Sequence, residues 1–381
     1  MLALVAVIEG RVGREAKNLA DVAASNWRYS RNQASKIDPR TDVIVLGDSL
    51  AKFGILPRLL EQGTNARAVN LAVCSGHMPS SYYVLRRAIE AGARPRAVVL
   101  DCSDEPIHPD RHDDRAPALT ANMRNWPELL SLRECIDLGW EARDASAAAQ
   151  MALARVLPSL RCRDQVRELT RARLAGAPWG RVDELTLARV NWERNAGAFV
   201  APDIPATPHA FPAMTGDAGA PTPWARNPLT LAYAERLLGL ARDHDIAVFW
   251  VLPPHRQAHQ AQRERDGIDD YTTRVAAGLL ARHPNLTVLD ARQGDYPDDA
   301  FYDIVHLDRL GATTLSGDLA EVLASRRLAA DPSQERWVHM KPFRAPTVSS
   351  LVEDLGQTRA LLDARQLAIQ ADADTGTSTR R

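Results

Sequence analysis

Residues Val43-Ile44-Val45-Leu46-Gly47-Asp48-Ser49-Leu50 join four apolar residues, three of them β-branched, to a glycine, an acid and a serine. A short run that is apolar at every position has both faces buried, as in a strand inside a parallel sheet. Four further runs share that character: Ala68–Val73, Ala97–Leu100, Ile246–Leu252 and Leu286–Leu289. Helical patterns separate them at Pro57–Gln62, Pro79–Gly92, Pro228–His244, Asp269–His283 and Leu310–Ser325. Pro57, Pro79 and Pro228 suit a first helical turn, where no amide hydrogen is required. Strands alternating with helices predict an α/β protein with a doubly wound, five-stranded parallel sheet.

The alternation stops between Cys102 and Asn227. We therefore expect a core built from residues 41–103 and 227–326, interrupted by an insertion at 104–226. The insertion is helix-like from Leu129 to Leu174 and rich in proline from Ala201 to Trp224. A tail at 331–370 carries Val352, Leu355, Leu362 and Ile369 on one helical face, expected to dock on the protein's own core. Residues 371–381 are small and polar, the composition of a disordered end. Residues 1–40 read either as an amphipathic helix running to about Arg28 or as the stump of a signal anchor that associates with a membrane. The apolar run Met1–Ile8 is far shorter than the roughly 20 residues that span a bilayer. Location is extracytoplasmic on the second reading and cytoplasmic on the first.

Composition narrows the chemistry by exclusion. Lys+Arg 47 against Asp+Glu 48 leaves a net charge of −1, so no overall field recruits nucleic acid. Four cysteines in 381 residues do not form a disulfide framework. Cys74 and Cys102 end strands that lie about 9–10 Å apart, too far for a disulfide, so both are expected as free thiols.

In an open α/β sheet, ligands bind at the carboxyl edge of the strands, and the loop after the first strand lies there. A serine in that loop, just before a helix, has exposed backbone amides beside its oxygen that suit an oxyanion. Ser49 is thus a candidate nucleophile, which needs a base and an acid to orient it. Tyr302-Asp303-Ile304-Val305-His306-Leu307 supplies both on another carboxyl-edge loop. Asp303 holds one ring nitrogen of His306 and the other faces the serine.

These motifs resemble the SGNH/GDSL hydrolase superfamily of serine esterases, lipases and acyltransferases. The resemblance covers Asp42–Ser103 and Asn227–Ser325 and implies a flavodoxin-like, three-layer fold. It implies catalysis by Ser49, His306 and Asp303, with no metal or organic cofactor. It also implies an oxyanion hole built from the amides of Ser49 and Gly76. The family's next donor is an asparagine after the third strand, where this chain has Ser103. Either the Ser103 hydroxyl replaces it, or Asn191 or Asn195 swings in from the insertion. Asp48 lies beside the nucleophile as a weaker substrate contact. The implied activity is cleavage of an acyl ester, including O-acetyl groups on a glycan. The alternatives are an O-acyltransferase acting on envelope polysaccharide and a non-catalytic carbohydrate-binding relative.

Two other constellations carry less. Asp101–Asp114 is dense in metal-ligand types, but Pro106 and Pro109 deny His108 and His112 a helical spacing, and the loop reads as solvated. His255-Arg256-Gln257-Ala258-His259 has arginine where a zinc protease needs glutamate. Arg256 remains a candidate contact for an anionic substrate group.

Overall fold

The structure, a computed structural model, describes residues 7, 9–14, 21–101, 122–174, 182–203, 228–346 and 352–378. Six strands form one parallel sheet: β1 (Val43–Gly47), β2 (Ala68–Asn70), β3 (Ala97–Asp101), β4 (Ala247–Leu252), β5 (Leu286–Asp290) and β6 (Trp337–His339). Their order is β2-β1-β3-β4-β5-β6. Every residue of β1, β3, β4 and β5 is buried. Alternate side chains enter opposite faces, so Ile44 and Leu46 join one apolar cluster while Val43 and Val45 join another.

The helices follow in chain order. Before the insertion come α1 (Val22–Ala34), α2 (Ser49–Gly54), α3 (Pro57–Thr64) and α4 (Met78–Glu90). The insertion contributes α5 (Trp126–Leu129), α6 (Leu132–Glu141), α7 (Ala145–Val156), α8 (Pro158–Arg161), α9 (Arg163–Leu174) and α10 (Val182–Arg194). After it come α11 (Pro228–Asp243), α12 (Gln257–Arg265), α13 (Ile268–Arg282), α14 (Arg309–Ser325) and α15 (Leu355–Ser378). Helices α1, α4, α11 and α13 fill the first cluster; α2, α3 and α14 fill the second.

Four sequence readings change. The sheet has six strands, because Trp337–His339 of the tail pairs with Val288–Asp290. Three half-buried or exposed residues at a sheet edge carry no apolar run to betray them. The tail helix runs to Ser378, through most of the stretch expected to be disordered. No proline interrupts it, and an established helix gains one hydrogen bond for each residue added. At the other end, residues 9–14 are helical, but a separate helix begins at Val22, where the Asp21 side chain accepts from the Ala24 amide at 2.7 Å. It continues past Arg28 to Ala34.

The insertion also takes part in the main core. Trp126, Leu129, Cys135, Leu138 and Met151 belong to the same buried cluster as Ile44 and Leu46. Trp126 meets Trp27 edge-on with centroids 4.9 Å apart, and Arg28 grips Glu128 through two hydrogen bonds of 2.8 Å. The N-terminal helix and the insertion together cover this face of the sheet. Val352 is buried and α15 packs on α10, while the Ile369 side chain lies outside the described residues.

Candidate active site

The turn after β1 is shaped by Gly47, whose φ is +138° and whose missing Cβ would sit 1.6 Å from the carbonyl oxygen of Asp101. Only glycine lets the two strand ends approach this closely. Asp48 then caps α2, its carboxylate accepting from the Leu50 amide at 2.8 Å. Ser49 is the first residue of that helix and is half-buried. Neither its amide nor its hydroxyl has a partner among the described residues. Buried Asn70 steadies the helix from behind, donating to the Ala51 carbonyl at 2.8 Å and the Ile55 carbonyl at 2.9 Å. The Asn70 Oδ1 accepts from Ala72 at 3.0 Å, a local turn that ends β2 at Asn70 instead of Val73.

Asp303 and His306 sit in a tight reversal. The Tyr302 amide donates to the His306 carbonyl at 2.8 Å, and Phe301 bridges Leu307. Asp303 Oδ1 accepts from the amides of Val305 (2.9 Å) and His306 (2.8 Å), and Oδ2 lies 2.7 Å from His306 Nδ1. Burial opposes the charge on Asp303, but the His306 ring and those two amides outweigh it and hold the carboxyl below its usual range. Facing a carboxylate, Nδ1 carries the ring proton, and Nε2 is left as a base. Nε2 is buried and has no hydrogen-bond partner among the described residues.

The two loops meet through α2. The Phe53 ring stacks on the His306 imidazole, with centroids 4.4 Å apart and planes 29° apart. Phe53 lies four residues after Ser49, one helical turn along the same face. Ser316 of α14 fastens the junction, accepting from Leu56 at 2.8 Å and donating to the Gly54 carbonyl at 3.2 Å. His306 and its partner Asp303 therefore meet α2 at Phe53, one turn from Ser49, and Ser49 and His306 make no hydrogen bond to each other.

No family model, no curated protein and no solved structure matches this chain. The site must be read from its own atoms.

The secondary candidates fare differently. The Gly76 amide donates to the Val73 carbonyl at 2.8 Å, closing a turn in which Ser75 has φ +56°, so it is not open to an oxyanion. The neighbouring Ser75 is exposed, and its amide has no acceptor among the described residues. Asn191 and Asn195 are buried and fully used away from the site. Asn191 donates to the Glu353 carbonyl (2.9 Å) and Thr358 (3.0 Å) and accepts from the Val200 amide (2.9 Å). Asn195 donates to the carbonyls of Asn191 (2.9 Å) and Glu353 (2.8 Å) and accepts from the Glu353 amide (3.1 Å). Both asparagines clamp the tail to α10 and are not substrate ligands. Arg256 is paired with Asp298 at 2.8 Å on the edge loop. Cys74 is a free thiol. Ser103, Cys102, His108 and His112 lie outside the described residues.

Three residues near Ser49 carried no motif. Phe53 forms the wall against His306, and Phe199 from the insertion extends it, 4.6 Å from Phe53. Lys52 is wholly buried with no hydrogen-bond partner among the described residues, its Nζ 5.6 Å from the Tyr29 ring centroid and 5.7 Å from that of Trp192. Burial pushes the amine down to about 7, with the Cys74 sulfur pulling the other way. Lys52 is one of four lysines in a chain rich in arginine, the one signal available in advance. Arginine cannot shed its charge when buried, and lysine can.

Proposed function

We propose that this protein is a serine esterase of the SGNH/GDSL type, acting on an acyl ester through Ser49, His306 and Asp303. The observation that carries the reading is the preset Asp303–His306 pair, with an unoccupied buried Nε2, stacked on the helix that Ser49 begins. The strand order supports it: β2-β1-β3-β4-β5 is the flavodoxin-like order, with β6 added at one edge.

The chemistry follows from the atoms. His306 Nε2 takes the Ser49 hydroxyl proton as Oγ bonds to the ester carbonyl carbon. Asp303 fixes the ring and stabilises the imidazolium. Negative charge develops on the carbonyl oxygen, which the unspent Ser49 amide at the α2 N-terminus receives, with the Ser75 amide as second donor in place of Gly76. His306 returns the proton to the departing alkoxide, and water repeats the sequence on the acyl-serine. Transfer of the acyl group to a sugar hydroxyl uses the same atoms.

The test is turnover of p-nitrophenyl esters of two to eight carbons by wild type and Ser49→Ala. We expect hydrolysis by the wild type and at least about a 10³-fold loss in the variant. Folded wild-type protein that turns over none of them faster than the variant would overturn the proposal.

A further inference from the structure

Phe199 reaches the site from the insertion on a stretch of chain that is pinned on both sides of it. The Ala196 carbonyl accepts from the Asn70 amide at 2.9 Å, and the Phe199 amide donates to the Lys52 carbonyl of α2 at 2.9 Å. The Val200 carbonyl accepts from the Leu355 amide at 3.0 Å. Gly197, with φ +95°, lets this chain pass so close to β2 that a Cβ would sit 2.1 Å from the Asn70 carbonyl oxygen. Ala198 and Val200 are buried, while Phe199 between them is half-buried, its ring 4.6 Å from that of Phe53 with planes 44° apart. Phe53 is half-buried too, and its ring stacks on the His306 imidazole. On the turn that carries the imidazole, Ile304 is 39% exposed. Arg309, three residues past His306, is paired with Asp203 (3.2 Å) and Asp354 (2.9 Å), and Arg256 is paired with Asp298. Both guanidinium groups are thus already committed to carboxylates.

Acyl transfer divides these surroundings between the two halves of an ester. The carbonyl oxygen goes to the amides at the N-terminus of α2, and the leaving oxygen goes to His306 Nε2, which returns its proton. Phe53 lies four residues past Ser49, about 6 Å along the helix axis. The aromatic wall against the imidazole therefore belongs to the alcohol half and stands apart from the amides that hold the acyl carbonyl. We infer that Phe199 forms the alcohol subsite, and that the alcohol is neutral and carries a ring with a flat apolar face. Aromatic side chains gain most from a flat partner in offset contact, and an aryl ring or the C–H face of a pyranose supplies one. The pinned backbone holds the Phe199 ring in place, so little ordering is left for the ligand to impose. The inference rests on Ser49 and His306 being nucleophile and base.

The experiment holds the acyl group constant and varies the alcohol. Acetate release by the full chain is followed from benzyl acetate, from methyl glucopyranoside acetylated at its primary hydroxyl, and from n-hexyl acetate, with Ser49→Ala as background. Wild type should favour a ring-bearing ester over hexyl acetate by at least about fivefold in kcat/KM, and the better of the two distinguishes an aryl alcohol from a sugar. Phe199→Leu keeps apolar bulk but loses the ring, and should lower that preference about fivefold, mostly through KM; Phe199→Trp should retain it. The ratio of p-nitrophenyl octanoate to p-nitrophenyl acetate turnover reads the acyl half and should stay within about twofold in both variants. Circular dichroism melts check that each variant is folded. Ser49-dependent hydrolysis without a ring preference, or a preference that folded Phe199→Leu retains, overturns the inference and leaves the nucleophile standing. So does an octanoate-to-acetate ratio that moves in Phe199→Leu while the ring preference does not, which places Phe199 beside the acyl chain. Turnover of every ester by wild type no faster than by Ser49→Ala overturns the nucleophile, and the inference with it.

Discussion

The turn at Gly47–Ser49 and the junction at Asn191–Gly197 each place a glycine of positive φ and polar side chains at a helix end. The hydrogen bonding of their key polar side chains differs. At the first, the Ser49 amide and hydroxyl have no partner among the described residues, and neither has the buried Nε2 of His306. At the second, both asparagine side chains are saturated, and all their bonds are structural. An unpaired amide, hydroxyl and imidazole nitrogen on two carboxyl-edge loops are open to a ligand, although buried unpaired atoms also occur elsewhere, at Trp126 Nε1 and Thr287 Oγ1 among them. Spent groups mark architecture.

This contrast fixes what mutations should do. The largest effect belongs to the unspent groups. His306→Ala, like Ser49→Ala, should reduce kcat at least about 10³-fold, near 4 kcal/mol, with the melting temperature unchanged. Loss of folding in place of activity would show that these groups are spent after all. The saturated side should behave in the opposite way. Asn191→Ala strands the Val200 amide and the Glu353 carbonyl, and should cost about 2–3 kcal/mol in urea unfolding while each folded molecule keeps its kcat. A loss of kcat with stability intact would return Asn191 to the active site.

Lys52 sits between the two cases, because it is buried and unpaired yet points into aromatic rings. Its amine falls from 10.5 to about 7 on folding, so the unfolded chain binds more protons between those values and stability rises with pH there. Above pH 9 the Cys74 thiol, pushed up to about 11 by burial against the opposing pull of Lys52, works in the other direction. Over pH 7 to 9 the wild type should therefore gain about 1–2 kcal/mol relative to Lys52→Met. A constant difference between the two proteins across that window would place the amine in contact with water.

What could be read in advance was local. The five apolar runs became β1 to β5 because their side chains alternate between two buried faces within a few residues. Asp303 and His306 were legible because three residues are enough to close a turn. What could not be read was joined across long separations or was too short to leave a pattern. Asn191 and Glu353 are 162 residues apart, so nothing near Asn191 announces its partner. Strand β6 has only three residues. The loss of Gly76 as a donor depends on the positive φ of Ser75, which a non-glycine residue does not advertise. The environment of Lys52 comes from Tyr29 on one side and Trp192 on the other, both remote in sequence.

The central claim is that Ser49 is a nucleophile activated by His306. Its most direct measurement is labelling with a fluorophosphonate probe, followed by peptide mass mapping of wild type and of His306→Ala. The account predicts one adduct, on Ser49, that forms in the wild type and slows at least about a hundredfold when the imidazole is removed. Folded wild-type protein that remains unlabelled at Ser49, or that labels at the same rate without His306, would contradict it.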